Sequence, residues 1–417
     1  MKELHHTAVS IQSDTDRNWL VAAISNGNLQ GSDLLLNGLH GEVYSNISLQ
    51  RFIDEELRHD HFEVETDTGN ILAHSSSGEQ RKALLHHIIT NKPAFIILDN
   101  VFESLDIEAR KKILSLLKNL SKDVLMIQLL ERKRDLLPFV ETVYLLEGTT
   151  IVNKLTREQF QDKVEVHSSP VFNLSIPPPL QSFPAIENPL ISMNRISVRF
   201  GDRQILRDIN WEINTGEFWQ LKGPNGSGKS TLLAMIAGDS PKAYGQDLLL
   251  FGHKKGSGES VWSIKEKIGW FAPNMVRHFD RQDSLEKMIV SGFFDSVGLY
   301  TRPSDRQLNL AHDWLRLMDM YDNRKQPFRL SPAGHQRMVL IARAMVKHPP
   351  LLILDEPASD LDDKAAILFT ALINKIADET NTAIIYVSHM NEPGLSPRYI
   401  FELVPHANGS TGQTLKA

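Results

Sequence analysis

A pattern that occurs twice at identical spacing constrains the fold of this 417-residue chain more than any other feature. In the first half, Gly78 opens a helix-like stretch that leads into the apolar run Phe95–Asp99. In the second half, Gly334 opens a similar stretch that leads into Leu351–Asp355, and 21 positions separate glycine from aspartate in both copies. A register kept without gaps predicts two related domains. The alternation of short apolar runs with helical patterns predicts an α/β fold with mostly parallel central sheets.

The region between the two copies differs in composition from both. Residues 164–189 are rich in proline, which fixes φ and removes a backbone donor, so we expect an extended, semi-rigid linker there. The predicted organisation is a first domain over residues 1–163, the linker over 164–189, and a second domain over 190–417. Each domain is long enough to bury its own core.

Charge and composition narrow the classes of function. The net charge of -6 gives no strong nucleic-acid signal, and the absence of cysteine excludes disulfides, thiolate metal sites and cysteine nucleophiles. The N-terminus lacks the apolar core of a signal peptide, and no uncharged apolar run reaches the roughly 18 residues of a spanning helix. We therefore expect a cytoplasmic protein, at most peripheral at the inner face of the cell membrane, with any membrane part supplied by another chain.

The second domain contains a phosphate-binding loop in its required context. The apolar run Phe218–Lys222 precedes the glycine-rich GPNGSGKS, and a helical segment follows it. Glycines let backbone N–H groups face phosphates, the lysine supplies a positive charge, and the serine after it can ligate Mg²⁺. The candidate nucleotide-binding residues of this loop are Gly223, Pro224, Asn225, Gly226, Ser227, Gly228, Lys229, Ser230 and Thr231.

Acidic residues complete the candidate catalytic set. Asp355 ends an apolar strand where it can hold Mg²⁺ together with Ser230, and Glu356 can polarise the attacking water. His389 follows the next strand and could contact the γ-phosphate, and Phe200 could stack on adenine. Each has a purely structural alternative: the acids could cap a helix, the histidine could be a surface residue and the aromatic ring a core residue.

Together these motifs resemble those of the ATP-binding cassette (ABC) ATPases. GPNGSGKS, LLILDEP, SDLD and VSHM carry the resemblance over residues 190–403, and SSSGEQR, FIILDN and ESLD make the first domain similar to a shortened cassette. The resemblance implies two tandem P-loop NTPase cassettes, the first shortened and degenerate, with ATP and Mg²⁺ as cofactors. The tandem arrangement also resembles the double-cassette ATP-binding proteins associated with molybdate uptake.

In this family each ATP lies between the phosphate loop of one cassette and the signature segment of the other. The first domain keeps a signature that would supply Ser76, Ser77, Gly78 and Glu79. Its own phosphate loop is expected at residues 24–32 without a lysine, and Asn100 occupies the position of the catalytic acid. In the second domain Pro332 replaces the signature serine. The resemblance therefore predicts one complete composite site, with Glu356 and His389 as its catalytic residues.

Several functions and pairings remain open at this point. The cassettes could pair within the chain or in a homodimer. The protein could be the ATPase subunit of a transporter that works with membrane permease subunits, or a soluble ATPase that clamps another macromolecule in DNA repair, translation or stress response. A glutamine is missing from residues 268–274, where transporter cassettes usually carry one, and the first domain is short where membrane partners dock. Both features weaken the transporter reading. The retained Glu356 argues against a third possibility, a switch with negligible turnover.

Overall fold

A computed structural model describes most of the chain. The described residues are 4–34, 36–59, 64, 66, 71–75, 77–103, 105–162, 172–184, 186–272, 275, 282–296, 298–359 and 361–416. The chain forms two compact units. Unit 1 comprises Met1–His167 together with Asp360–Lys364, and unit 2 comprises Ser168–Ser359 and Ala365–Ala417.

Unit 1 is built on a mostly parallel sheet, six-stranded within the described residues, in the order β2-β3-β4-β1-β5-β6. Only the β5–β6 pair is antiparallel. The strands are β1 (Thr7–Ser10), β2 (Gly41–Tyr44), β3 (Phe95–Asp99), β4 (Leu125–Leu130), β5 (Thr142–Glu147) and β6 (Thr150–Thr156). The helices are α1 (Arg17–Ser25), α2 (Asn46–His59), α3 (Ser77–Thr90), α4 (Ile107–Leu120) and α5 (Arg157–Asp162).

Both faces of this sheet are buried. Along β3, Ile96 and Leu98 belong to one apolar cluster, whereas Phe95 and Ile97 belong to another. Successive side chains of a strand point to opposite faces, so each cluster covers one face. This explains why FIILD reads as a continuous apolar run rather than an alternating one.

Unit 2 repeats the same strand order in its main sheet, β12-β13-β14-β9-β15-β16, again with only the last pair antiparallel. Its strands are β9 (Phe218–Lys222), β12 (Ile268–Phe271), β13 (Leu351–Asp355), β14 (Ala383–Val387), β15 (Tyr399–Val404) and β16 (Thr411–Lys416). The helices are α6 (Lys229–Ile236), α7 (Val261–Lys265), α8 (Leu285–Ser291), α9 (Asp305–Leu317), α10 (Ala333–Met345) and α11 (Asp363–Glu379).

A second sheet distinguishes unit 2 from the described part of unit 1. Four antiparallel strands lie in the order β11-β10-β7-β8, with β7 (Ile191–Phe200), β8 (Arg203–Ile213), β10 (Asp247–Leu250) and β11 (His253–Lys254). The segment between β2 and β3 is also much shorter than the corresponding segment between β12 and β13. Unit 1 is thus a reduced version of the unit 2 fold.

The repeat seen in the sequence extends to individual contacts. The Gln80 side chain donates to the carbonyl of Leu72 at 2.8 Å, and Gln336, at the equivalent position, donates to the carbonyl of Phe328 at 3.0 Å. Arg81 lies over the ring of Tyr44 at the end of β2, and its counterpart in unit 2 lies over the ring at the end of β12. The two units therefore share local packing as well as strand order.

The described part of the proline-rich segment, residues 172–184 and 186–189, contains neither helix nor strand. Hydrogen bonds near both of its ends hold it to the rest of unit 2, including two from the Thr215 N–H and Oγ1 to the Asn188 side chain at 3.0 Å and 3.2 Å. The Ile176 N–H donates to Glu379 at 2.8 Å, and the His348 Nε2 lies 2.7 Å from the Pro177 carbonyl. Residues 164–171 and 185 of the predicted linker lie outside the described residues.

Candidate nucleotide-binding site

The glycine-rich loop of unit 2 connects β9 to α6. Gly223, Gly226 and Gly228 have φ values of 151°, 74° and 101°, which side chains rarely adopt. A Cβ on Gly223 would lie 2.6 Å from the Ser227 Oγ, and one on Gly228 would lie 2.5 Å from the Leu206 side chain. The backbone conformation of this loop therefore requires glycine at these positions. It is the kind of conformation in which backbone N–H groups point into one concave site that can bind phosphate.

Lys229 and Ser227 give this loop its polar interior. Lys229 is 8% exposed, and its Nζ donates to the carbonyls of Gly223 at 2.7 Å and Pro224 at 3.1 Å. The Ser227 Oγ is buried and has no hydrogen-bond partner among the described residues. A buried hydroxyl without a partner costs free energy. A ligand oxygen would satisfy this hydroxyl, and a phosphate would offer the Lys229 ammonium a charged acceptor.

The acidic residues of the site lie at the carboxyl ends of neighbouring strands. In the sheet, β14 lies between β13 and β9. Asp355 ends β13, and Glu356 follows in a left-handed conformation with φ of 44°. The Glu356 carboxylate pairs with the His389 Nε2, and the His389 Nδ1 lies 3.4 Å from the Lys229 Nζ. The fold thus brings lysine, histidine and glutamate into one chain of contacts.

The two neighbouring acids have opposite electrostatic environments. Burial, reinforced by the charge of Glu356, raises the pKa of Asp355. Burial also acts to raise the pKa of Glu356, but the hydrogen bond and charge of His389, together with Lys229, outweigh it and lower that pKa. Of these two acids, Glu356 is therefore the one whose ionised form is favoured, and an ionised carboxylate can accept a hydrogen bond from water and orient it.

The chemistry of this donor set fits a nucleotide with Mg²⁺. Ser230, exposed in the first turn of α6, and Asp355 supply a hydroxyl and a carboxylate, the oxygen ligands that Mg²⁺ prefers. When bound, the ion would supply positive charge that stabilises the phosphate. Lys229 would hold phosphate, the loop N–H groups would orient it, and Glu356 would align water against it.

The remaining predicted residues of unit 2 lie on its surface. Phe200 ends β7 and is 51% exposed, with the Lys242 Nζ 5.5 Å from its ring centre, so it is a surface aromatic rather than a core residue. Asn225 is exposed, and Pro224 and Thr231 are half-buried. An exposed ring is free to stack on a base.

The signature of unit 1 lies at the start of α3, where Ser77, Gly78 and Glu79 form the first turn. Ser76 lies outside the described residues. Among the described residues, a Cβ on Gly78 would meet Ala109 at 3.4 Å, which is an ordinary contact. In unit 2, Pro332 stands at the N-cap of α10 and offers no side-chain cap.

The prediction that the phosphate loop of unit 1 lies at residues 24–32 is wrong. Residues 17–25 form α1, so this stretch is the end of a helix and the turn after it. The strand equivalent to β9 is β1, which lies between β4 and β5 as β9 lies between β14 and β15. The true counterpart of the loop is Ile11–Asp16, equal in length to Gly223–Gly228, and Arg17 takes the position of Lys229.

Sequence reasoning missed Arg17 because it searched for glycines. A usable signal was present: Asp16 is a typical N-cap residue, and its side chain accepts from the Trp19 N–H at 3.0 Å. The segment expected to carry a coupling glutamine begins with β12, and Pro273 and Asn274 lie outside the described residues.

Comparison with known proteins agrees with this geometry. The family model described as "ABC transporter" matches residues 206–359. The ABC transporter ATP-binding protein ModF of Escherichia coli is 37% identical over 329 residues, which cover 76% of this chain and 67% of that protein. An uncharacterised ABC transporter ATP-binding protein of Schizosaccharomyces pombe is 31% identical over 77% of this chain and 66% of its own length. The matches thus span about two thirds of each relative.

The fold agrees over nearly the whole chain with that of a solved structure. A structure titled "Model of ribosome-bound archaeal Pelota and ABCE1" contains a chain that matches 99% of this one and 75% of its own length. The TM-score is 0.63 at 12% sequence identity, which supports the fold alone.

The fold and the site therefore define an ATP-binding cassette ATPase. The chain belongs to the ABC family, and the predicted fold class and ATPase activity are confirmed. It is similar to ModF over 76% of its length. Within the residues that the structure describes, no helix has the length and apolar character to cross a membrane.

Proposed function

We propose that this chain is an ATPase with one competent, composite ATP site. The observation that supports this most is the asymmetry between the units. In unit 2, Lys229, Asp355, Glu356 and His389 gather at one sheet edge beside a glycine-rich loop. The Ile11–Asp16 loop of unit 1 has no glycine, and Asn100 takes the position of Glu356.

The second half of the proposed site is the signature of unit 1. Ser76, Ser77, Gly78 and Glu79 would meet the γ-phosphate held by unit 2, with the N-terminus of α3 favouring negative charge. The reverse pairing would combine a loop without glycine and a signature whose serine is replaced by Pro332. It offers neither a glycine-rich cradle nor the hydroxyl of a signature serine.

Ser76→Arg tests this pairing. The large cation at a position that would contact phosphate should abolish ATP turnover, although it lies in the unit without a catalytic acid. Pro332→Arg makes the same change at the equivalent position of unit 2 and should leave turnover near wild type. Steady-state phosphate release measures both, with circular dichroism to confirm folding. Wild-type turnover in Ser76→Arg, or equal losses in both variants, would refute the composite site.

We further propose that the ATPase energises transport of a small oxyanion such as molybdate, with membrane permease subunits supplied by other chains. The similarity to ModF, an ABC transporter ATP-binding protein, supports a role in transport. The alternative, a soluble clamp on another macromolecule, is supported by the short segment between β2 and β3 of unit 1, since membrane partners dock in that part of a cassette.

An ATP-trapped variant separates these roles. Glu356→Gln removes the carboxylate that would orient water and should hold ATP without turnover. Affinity purification of this variant from membranes and cytosol, with and without ATP, identifies what it holds. ATP-dependent recovery of permease subunits supports the transport role. Recovery of ribosomes, nucleic acid or soluble assemblies instead overturns it in favour of the clamp.

A further inference from the structure

The position that corresponds to the nucleotide site in unit 1 is filled by the protein itself. The Arg17 guanidinium pairs with Asp99 through one nitrogen and with Glu131 through the other. Asp99 is the counterpart of Asp355, and Glu131 follows β4 as His389 follows β14. The two carboxylate side chains are only 7% and 6% exposed. The cation that would face phosphate is therefore neutralised by two buried acids of the same unit.

The loop itself also holds an anion from the protein. The Ser13 N–H and Oγ donate to one carboxylate oxygen of Asp362 at 3.0 Å and 2.9 Å. Asp362 belongs to the segment Asp360–Lys364, which is part of unit 1. Two further bonds fix this segment: the Arg132 Nε donates to the Leu361 carbonyl at 2.6 Å, and the Lys133 N–H donates to Asp363 at 2.8 Å.

The shape and charge of the loop oppose phosphate. None of residues 11–16, all of which the structure describes, has a positive φ, whereas three positive-φ glycines form the loop of unit 2. The loop therefore lacks the left-handed turns by which the unit 2 loop turns its N–H groups toward one anion. Asp14 and Asp16 add two exposed carboxylates, which repel a nucleotide.

We propose that unit 1 binds no nucleotide and that its former phosphate loop is a permanent docking site for the Leu361–Asp363 segment of the same chain. Asp362 takes the place of a phosphate anion, and the ion triad of Arg17, Asp99 and Glu131 takes the place of the lysine and metal ion. The whole chain then holds a single ATP. This inference is independent of which signature completes the unit 2 site.

Nucleotide stoichiometry tests the first half of the proposal. Equilibrium dialysis of full-length Glu356→Gln with radiolabelled ATP and Mg²⁺ should give one ATP per chain. The Lys229→Ala, Glu356→Gln double variant should give none. Two ATP per chain, or one that persists without Lys229, would overturn the proposal. Neither result depends on turnover.

Amide hydrogen exchange tests the docking. The Ser13 amide should exchange slowly with and without ATP, because its acceptor is part of the protein. Asp362→Ala should accelerate this exchange several-fold without changing the core strands of unit 1. Asp378→Ala, an exposed acid further along α11, is the matched control and should leave it unchanged. Fast exchange in the wild type, protection that requires ATP, or unchanged protection in Asp362→Ala would each refute the docking site.

Discussion

Replacement of Arg17 by methionine should destabilise unit 1 strongly. The change removes the cation that pairs with both Asp99 and Glu131, whose side chains are only 7% and 6% exposed. Loss of one partner of a buried ion pair costs about 3–5 kcal/mol, because the remaining charge is left without compensation. In a unit of this size that corresponds to a fall of roughly 6–20 °C in the midpoint of unfolding.

Two controls separate this electrostatic cost from lost packing. The triple variant Arg17→Met, Asp99→Asn, Glu131→Gln keeps the volumes but removes every charge, so it should recover most of the lost stability. Lys111→Met breaks the pair with Glu108, whose side chains are 68% and 69% exposed, and should cost no more than about 1 kcal/mol.

Urea-dependent hydrogen exchange of the amides in β3 and β4 measures the free energy of unfolding of unit 1 specifically, since core strands exchange only on global opening of their unit. A loss below about 1 kcal/mol in Arg17→Met would show that the triad does not stabilise the fold. A triple variant as unstable as the single variant would refute the electrostatic reasoning.

Two further predictions concern the glycine loop and a buried histidine. Gly228→Ala should destabilise unit 2 by about 1–3 kcal/mol more than Gly226→Ala, measured by urea unfolding. Both positions have positive φ, but a Cβ on Gly228 would meet the Leu206 side chain at 2.5 Å, whereas at Gly226 no atom of the described residues lies within 4 Å. Burial lowers the pKa of His6, and its Nδ1 accepts from the Met126 N–H at 3.2 Å. As pH falls, His6 is therefore protonated in the unfolded chain before it is protonated in the folded one. Unit 1 should lose stability as pH falls below 6.5. His6→Gln should make its stability, measured by hydrogen exchange, less dependent on pH.

The sequence predicts a strand or loop of this protein when a local pattern of residues determines its backbone conformation. The register of FIILD and LLILD predicted β3 and β13 because strands buried on both faces are continuously apolar. The glycine loop of unit 2 was predictable because its backbone conformations exclude other residues. The position of the unit 1 loop was not predictable in this way. Gly27 and Gly31 resemble the glycines of a phosphate loop, but they lie in turns after α1, with φ values of 62° and 84°.

The two loops also differ in whether their polar groups are satisfied. In unit 2, the Ser227 Oγ is buried without a partner among the described residues, so the site has binding energy to gain from a ligand oxygen. In unit 1, Arg17 pairs with two carboxylates, and Ser13 donates twice to a third. A nucleotide would have to break charge-assisted bonds there before forming any of its own. Single occupancy thus follows from the hydrogen-bonding balance of each loop.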